Sequence, residues 1–254
     1  MLAIETEGLT RHFDGKPAVE RLDLRVPEGA FYGFLGPNGA GKSTTMKMLT
    51  GLLAPTAGRA RILGHDLAAD PVAVKRLIGS VPDGLALFER LTGAEQLRIQ
   101  GQLYGLDRAT AARRAGELLE RLDLASAAGD TVADYSHGMK KRLALGCALI
   151  HGPQLLFLDE PFEGIDALAV GGIRQLLQEL VASRALTVFL TSHVLEVVER
   201  LVSHVGIIHR GRLVLDGTLA EVRASGSLEE TFLRAVGEER AAPAALSWLP
   251  GRTA

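Results

Sequence analysis

The chain contains one cysteine and one tryptophan in 254 residues, and no large excess of charge of either sign. The lone thiol, Cys147, excludes an internal disulfide. Its place in the apolar stretch LALGCALI makes it a small buried hydrophobe rather than a reactive group. Lys and Arg total 28 against 30 Asp and Glu, a net charge of −2, so bulk electrostatics make no case for nucleic acid as a partner. No apolar run approaches the ~18 residues needed to span a bilayer; LALGCALI at 143–150 is among the longest. The opening MLAIETEGLT carries early acids and no basic region, so a secretory signal is not expected. Internal repeats and low-complexity segments are lacking too. The expectation is a cytosolic chain whose contact with a membrane passes through a partner.

With 47 % hydrophobic and 23 % charged residues, the chain has an ordinary globular balance. Its length suits one large domain carrying a subdomain. Residues 2–34 read as antiparallel strands, LAIETEGLTRHF, LDLRV and FYGFLG, separated by DGKP and PEGA. A helix from about Gly41 to Leu52, a strand at ARILG and a helix from Pro71 follow. From about Leu91 to Ile150 the spacing is helical, in EQLRIQGQLYG, ATAARRAGELLERLDL and HGMKKRLALGCALI. Strand texture returns at LLFLDEP and LTVFLTS, then in the hairpin VGIIHRGRLVL, with two short helices ending near Val236. An α/β core is thus interrupted by a helical insert. Residues 237–254 read as a tail in which Trp248 serves local packing.

GPNGAGKST comprises Gly36, Pro37, Asn38, Gly39, Ala40, Gly41, Lys42, Ser43 and Thr44. It fits G-x-x-x-x-G-K-[ST] between a strand and a helix. Glycines let successive backbone N–H groups turn inward around phosphate oxygens, and the helix N-terminus adds partial positive charge. Lys42 is placed for the β- and γ-phosphates and Ser43 for Mg²⁺. The ligand class is a nucleoside triphosphate.

LLFLDEP at 155–161 is an apolar run ending in two acids, the pattern of a buried parallel strand whose end opens on a site. Asp159 is a candidate Mg²⁺ ligand and Glu160 a candidate base for an attacking water. TSH at 191–193 ends the next strand and brings His193 towards the same edge, a candidate contact for the γ-phosphate. YSHGMKK at 135–141 starts a helix with Ser136 as N-cap. Its first turn has no acid and carries Lys140, Lys141 and Arg142, which is unfavourable at the positive end of a helix dipole. Such a helix is expected to meet an anion brought from elsewhere.

The ordered set GPNGAGKST, YSHGMKK, LLFLDEP, GID and TSH resembles the ATP-binding subunit of ABC transporters over residues 13 to about 216. SHGMK, GHDL and SLEETFL resemble most the bacterial ABC-2-type and drug-resistance exporters. The resemblance implies a P-loop NTPase (RecA-like) core with an antiparallel β subdomain and a helical insert subdomain. The ATPase domain would span 1–236, with its core at 1–83 and 151–236 and the helical subdomain at about 84–150. ATP and Mg²⁺ are the implied cofactors. The implied partners are a second ATPase subunit, as a homodimer, and a separate transmembrane permease, with the chain peripheral on the inner face of the cell membrane.

In that family two subunits pair head to tail. Ser136 and the backbone of Gly138 would meet the γ-phosphate held by the partner, which would supply the anion. By the same resemblance Phe13 stacks on adenine, Glu160 is the catalytic base, His193 contacts the γ-phosphate and Asp166 communicates across the dimer. One position departs: the family's usual Gln is here Asp83, in SVPDGLALF. A carboxylate can still ligate Mg²⁺, but it adds negative charge beside the phosphates. Soluble ABC ATPases of DNA repair or translation carry long coiled-coil insertions or two units in one chain, and neither is present. A GTPase would need N-K-x-D, also missing.

Overall fold

The computed structural model describes residues 1–165, 167–183, 186–224 and 226–237. Two sheets face each other. The first is antiparallel and is built on the long strand β1 (Leu2–Phe13), which pairs with β2 (Lys16–Leu22), β3 (Arg25–Pro27) and β5 (Ala57–Ile62). A two-residue strand, β6 (His65–Asp66), extends it beyond β5. The second sheet contains β4 (Phe31–Leu35), β7 (Ile78–Val81), β8 (Leu155–Asp159), β9 (Thr187–Ser192), β10 (His204–His209) and β11 (Arg212–Thr218). Its order is β11-β10-β4-β9-β8-β7, all neighbours parallel except β11 against β10.

This corrects one expectation. FYGFL does not continue the N-terminal antiparallel set but lies in the middle of the parallel sheet, between β10 and β9. All five of its residues are buried, as a strand covered on both faces requires. Phe31 and Leu35 join the core on the helical side, whereas Tyr32 and Phe34 join the core between the sheets. The same alternation runs through Leu155, Leu156, Phe157 and Leu158, which is why LLFLD is apolar throughout. Phe189 anchors the inter-sheet core, its ring stacked on Tyr32 at 5.6 Å and tilted against Phe34 at 5.3 Å. LDLRV is not one strand: Leu22 ends β2, and only Arg25 and Val26 belong to β3.

The helices are α1 (Lys42–Leu49), α2 (Pro71–Leu77), α3 (Gly93–Leu103), α4 (Arg108–Arg121), α5 (His137–Leu149), α6 (Ala167–Ala182), α7 (Leu195–Glu199), α8 (Leu219–Ala224) and α9 (Leu228–Val236). Helices α3, α4 and α5 form the insert, each begun by a side-chain cap. Thr92 and Glu95 make a capping box on α3, and Asp107 caps α4. Ser136 caps α5 by accepting the Met139 N–H at 3.3 Å, as expected from the sequence. Tail residues 238–254, with Trp248, and Asp166 lie outside the described residues.

Candidate functional site

Strand register assembles the site. Leu35 pairs with Ser192 and Asp159 with Thr191, so the C-terminal ends of β4, β9 and β8 adjoin. An open α/β sheet presents its ligand crevice at that edge.

The loop from Gly36 to Gly41 leaves β4 and enters α1. A Cβ at Gly36 would come within 2.4 Å of the Ile208 carbonyl oxygen, so only glycine lets the loop pass β10. Gly41, at φ 112°, is the N-cap of α1 and would place a Cβ 2.6 Å from the Ala18 oxygen. Lys42 follows at once and is 7 % exposed. Its ammonium donates to the Gly36 carbonyl at 2.7 Å and the Pro37 carbonyl at 3.3 Å, folding back over its own loop. Burial pulls its pKa down, and the Glu160 and Asp159 carboxylates oppose that pull.

Asp159, buried at the end of β8, accepts the Thr191 hydroxyl at 2.5 Å and stands 3.5 Å from Ser43 Oγ. Glu160 follows with φ 47°, a left-handed conformation unusual for a side-chain-bearing residue. Its backbone N–H donates to both the carbonyl and the hydroxyl of Thr191, each at 3.2 Å. Its side chain spans the site: Oε1 lies 3.9 Å from Lys42 Nζ, and Oε2 lies 3.1 Å from His193 Nδ1 and accepts the His193 N–H at 3.3 Å. Lys42, Ser43, Glu160 and His193 line a cleft of about 400 Å³ together with Asn38, Gly39, Thr44, Asp83 and Glu163.

The structure therefore brings together Lys42, Ser43, Asp159, Glu160, His193 and Asp83. Phe13 is not among the residues lining the cleft: it stands 44 % exposed at the end of β1, with the Arg11 guanidinium 4.7 Å from its ring centre. Ser136 and Gly138 lie at the start of α5, also outside the cleft, and Ser136 is exposed.

The cations of α5 require a correction. The sequence suggests that they are left for an outside anion, yet each is engaged within the chain. Lys140 lies 3.6 Å from Glu89, and Arg142 bonds the carbonyls of Leu122 and Asp123 and the Asp123 carboxylate. Lys141 donates to the carbonyls of Glu160 and Glu163. The exposed N-terminus of α5 itself, not its lysines, is what this helix offers outward.

Two residues went unread in the sequence. Thr191 carries Asp159 and the backbone of Glu160; its signal is a hydroxyl directly after the apolar run VFL, at the end of its strand. Lys141 was hidden in a basic trio, although its spacing to Leu145 and Ala148 puts it on the buried face of α5.

The site fits a triphosphate. The loop permits close backbone approach, an ammonium and a helix N-terminus face the same cleft, and Ser43 and Asp159 supply hard oxygens of the kind Mg²⁺ favours. Among the described residues no group of three or more His, Cys, Asp and Glu side chains could hold a metal unaided, so such an ion would complete its shell with phosphate and water. Also among the described residues, no helix is long and apolar enough to cross a membrane.

A family model described as ABC transporter matches residues 19–163. The daunorubicin/doxorubicin resistance ATP-binding protein DrrA of Streptomyces peucetius is 41 % identical over 223 residues, 88 % of this chain and 67 % of that protein. The bacitracin transport ATP-binding protein BcrA of Bacillus licheniformis is 39 % identical over 211 residues, 83 % of this chain and 68 % of that one. A solved structure of an ATP-binding subunit of an ABC transporter superposes with a TM-score of 0.84 at 32 % identity, covering 93 % of this chain and 100 % of that chain.

Proposed function

The chain belongs to the ABC transporter family as an ATP-binding subunit, and we propose that it powers export through a separate membrane permease by closing on a second copy of itself when ATP binds. It binds ATP and hydrolyses it. The observation that carries the reading is the meeting of Lys42, Ser43, Glu160 and His193 in one cleft, with Asp159 3.5 Å from Ser43 Oγ, while the helix start at Ser136 is exposed outside that cleft. Half of a site is present, and the exposed end of α5 is shaped to complete the same half on another copy.

Within that site the loop amides and Lys42 hold the β- and γ-phosphates. Mg²⁺ would be held by Ser43 and Asp159, with Asp83 as a further oxygen donor, and would neutralise charge on the phosphate oxygens. Glu160, aligned by His193, accepts the proton of a water that attacks the γ-phosphorus, while the bond to the β–γ bridging oxygen breaks and ADP keeps the electron pair. His193 and the partner's α5 N-terminus stabilise the γ-phosphate charge, Asp166 relays between the copies, and Phe13 offers an exposed ring face for adenine. Closure and reopening of the pair drive the permease, which holds the chain at the inner face of the membrane and selects the cargo. The relatives' roles in drug resistance and bacitracin transport support an export direction.

The test is a tagged Glu160→Gln variant. Purified, it should lose about 10²–10⁴-fold in turnover while retaining ATP and becoming a dimer on size exclusion only with ATP present. Expressed in its native cells and solubilised in detergent, it should co-purify with a polytopic membrane protein. Recovery of soluble partners alone would replace this reading with that of a soluble ABC ATPase.

A further inference from the structure

Lys141 is a buried cation whose two hydrogen bonds both go to backbone. It is 5 % exposed, and its ammonium donates to the Glu160 carbonyl at 2.9 Å and the Glu163 carbonyl at 2.5 Å. Those carbonyls bracket a tight turn, closed by the Glu163 N–H donating to the Glu160 carbonyl at 3.3 Å. The turn opens with Glu160 in its left-handed conformation, at φ 47°. Such a backbone state costs energy and persists only where its surroundings hold it. Two charge-assisted hydrogen bonds from a single ammonium are a strong hold.

The other feature is charge. Asp83 departs from the neutral residue expected there, and it lines the same cleft as Glu160 and Glu163. Burial pulls the Lys141 ammonium towards neutrality, while the carboxylates of Glu163, Asp83 and Glu160 act to keep it charged. One buried cation on the helix that begins at Ser136 thus holds the turn after β8.

We propose that Lys141 is a positioning residue for hydrolysis: it clamps the turn carrying Glu160 to helix α5. The inference rests on the reading that this cleft hydrolyses ATP. Its consequence is a short mechanical link. Ser136 and Lys141 are five residues apart, about 7.5 Å along a rigid helix axis. A displacement of the exposed end of α5 by a second copy is therefore delivered to the backbone of Glu160 in this copy.

The experiment is steady-state ATPase kinetics on wild type, Lys141→Gln and Lys141→Arg, with fluorescent-nucleotide binding and thermal melting on each. Lys141→Gln should lower kcat about 10–100-fold with KM within about twofold. Lys141→Arg, which keeps the charge and both donors, should stay within about threefold of wild type. An unchanged kcat in Lys141→Gln overturns the inference. So does a parallel change of kcat and KM with a lowered melting point and no rescue by Arg. If the Gln variant does not fold, the Arg variant decides: near-normal turnover supports the clamp, and a loss as deep as that of Glu160→Gln overturns it. A wild type that turns over no ATP overturns the proposed function and this inference together, whereas an active wild type indifferent to Lys141 overturns the inference alone.

Discussion

Gly36 is where a single atom decides whether the phosphate loop can form. A methyl group there would press against the carbonyl oxygen of Ile208 at 2.4 Å and its Cγ2 at 2.9 Å, and backbone on β10 cannot yield as a flexible side chain can. Overpacking of this kind costs about 1–3 kcal/mol. Gly36→Ala should weaken ATP binding about tenfold or more, measured by titration calorimetry, with helix content by circular dichroism unchanged. An affinity equal to wild type would mean the loop can shift at no cost. Cys147 makes the opposite case. Burial pushes its thiol up to about 12, with Gln96 opposing through a hydrogen bond, so it packs and does not react. Glu160 is legible in sequence as an acid after an apolar strand. Its left-handed backbone and its contacts with His193 and Lys42 are not, because they depend on groups more than thirty residues away.

Among the elements, α5 combines two duties that sequence separates poorly. Its first turn must be capped for the helix to exist, and the same end must remain exposed to meet a second copy. Ser136 provides the cap through the Met139 N–H. Ser136→Ala should cost about 1 kcal/mol, lowering the melting temperature by about 2–4 °C in calorimetry. Ser136→Asp separates the duties, because aspartate caps as well as serine but sets a negative charge where a partner's γ-phosphate would dock. It should melt like wild type and yet fail to dimerise with ATP on size exclusion; normal dimerisation would sink the head-to-tail arrangement. The cap and the helix were legible because both are local. The disposition of Lys140, Lys141 and Arg142 was not, since their partners at Glu89, Glu160 and Asp123 come from three other segments.

At the scale of the molecule, the parallel sheet carries one core against the antiparallel sheet and another against the helical insert. His151 joins the insert to the sheet: its ring stacks on Tyr104 at 3.8 Å, beyond the end of α3, and its Nε2 lies 3.0 Å from the Ile78 carbonyl at the start of β7. Burial lowers its pKa below the ordinary 6.5, the Ile78 bond opposes this, and Arg114 adds to the lowering. The folded protein therefore holds His151 neutral after the unfolded chain has begun to take up its proton. The stability it contributes is complete above about 6.5 and is lost as the pH falls from there through the lowered folded value. Urea midpoints at pH 7.5 and 5.5 should show a drop for wild type that His151→Gln reduces. An identical drop in both would place the sensitivity elsewhere.

Sequence alone determined the phosphate loop, the acid-bearing strand, the capped helix at Ser136 and the alternation of core and insert. Each rests on rules acting over a few residues, namely glycine in tight loops, apolar period, caps and turns. Only the tertiary structure decided that FYGFL belongs to the parallel sheet, that Thr191 holds Asp159 and Glu160, and that Lys141 clamps the turn beyond them. Those facts depend on which strands pair across separations from about thirty residues to more than a hundred, and on which carbonyl a buried ammonium can reach. Such choices are made by the closure of the whole core, where a strand buried on both faces shows no alternation and a buried cation looks, in sequence, like any other lysine.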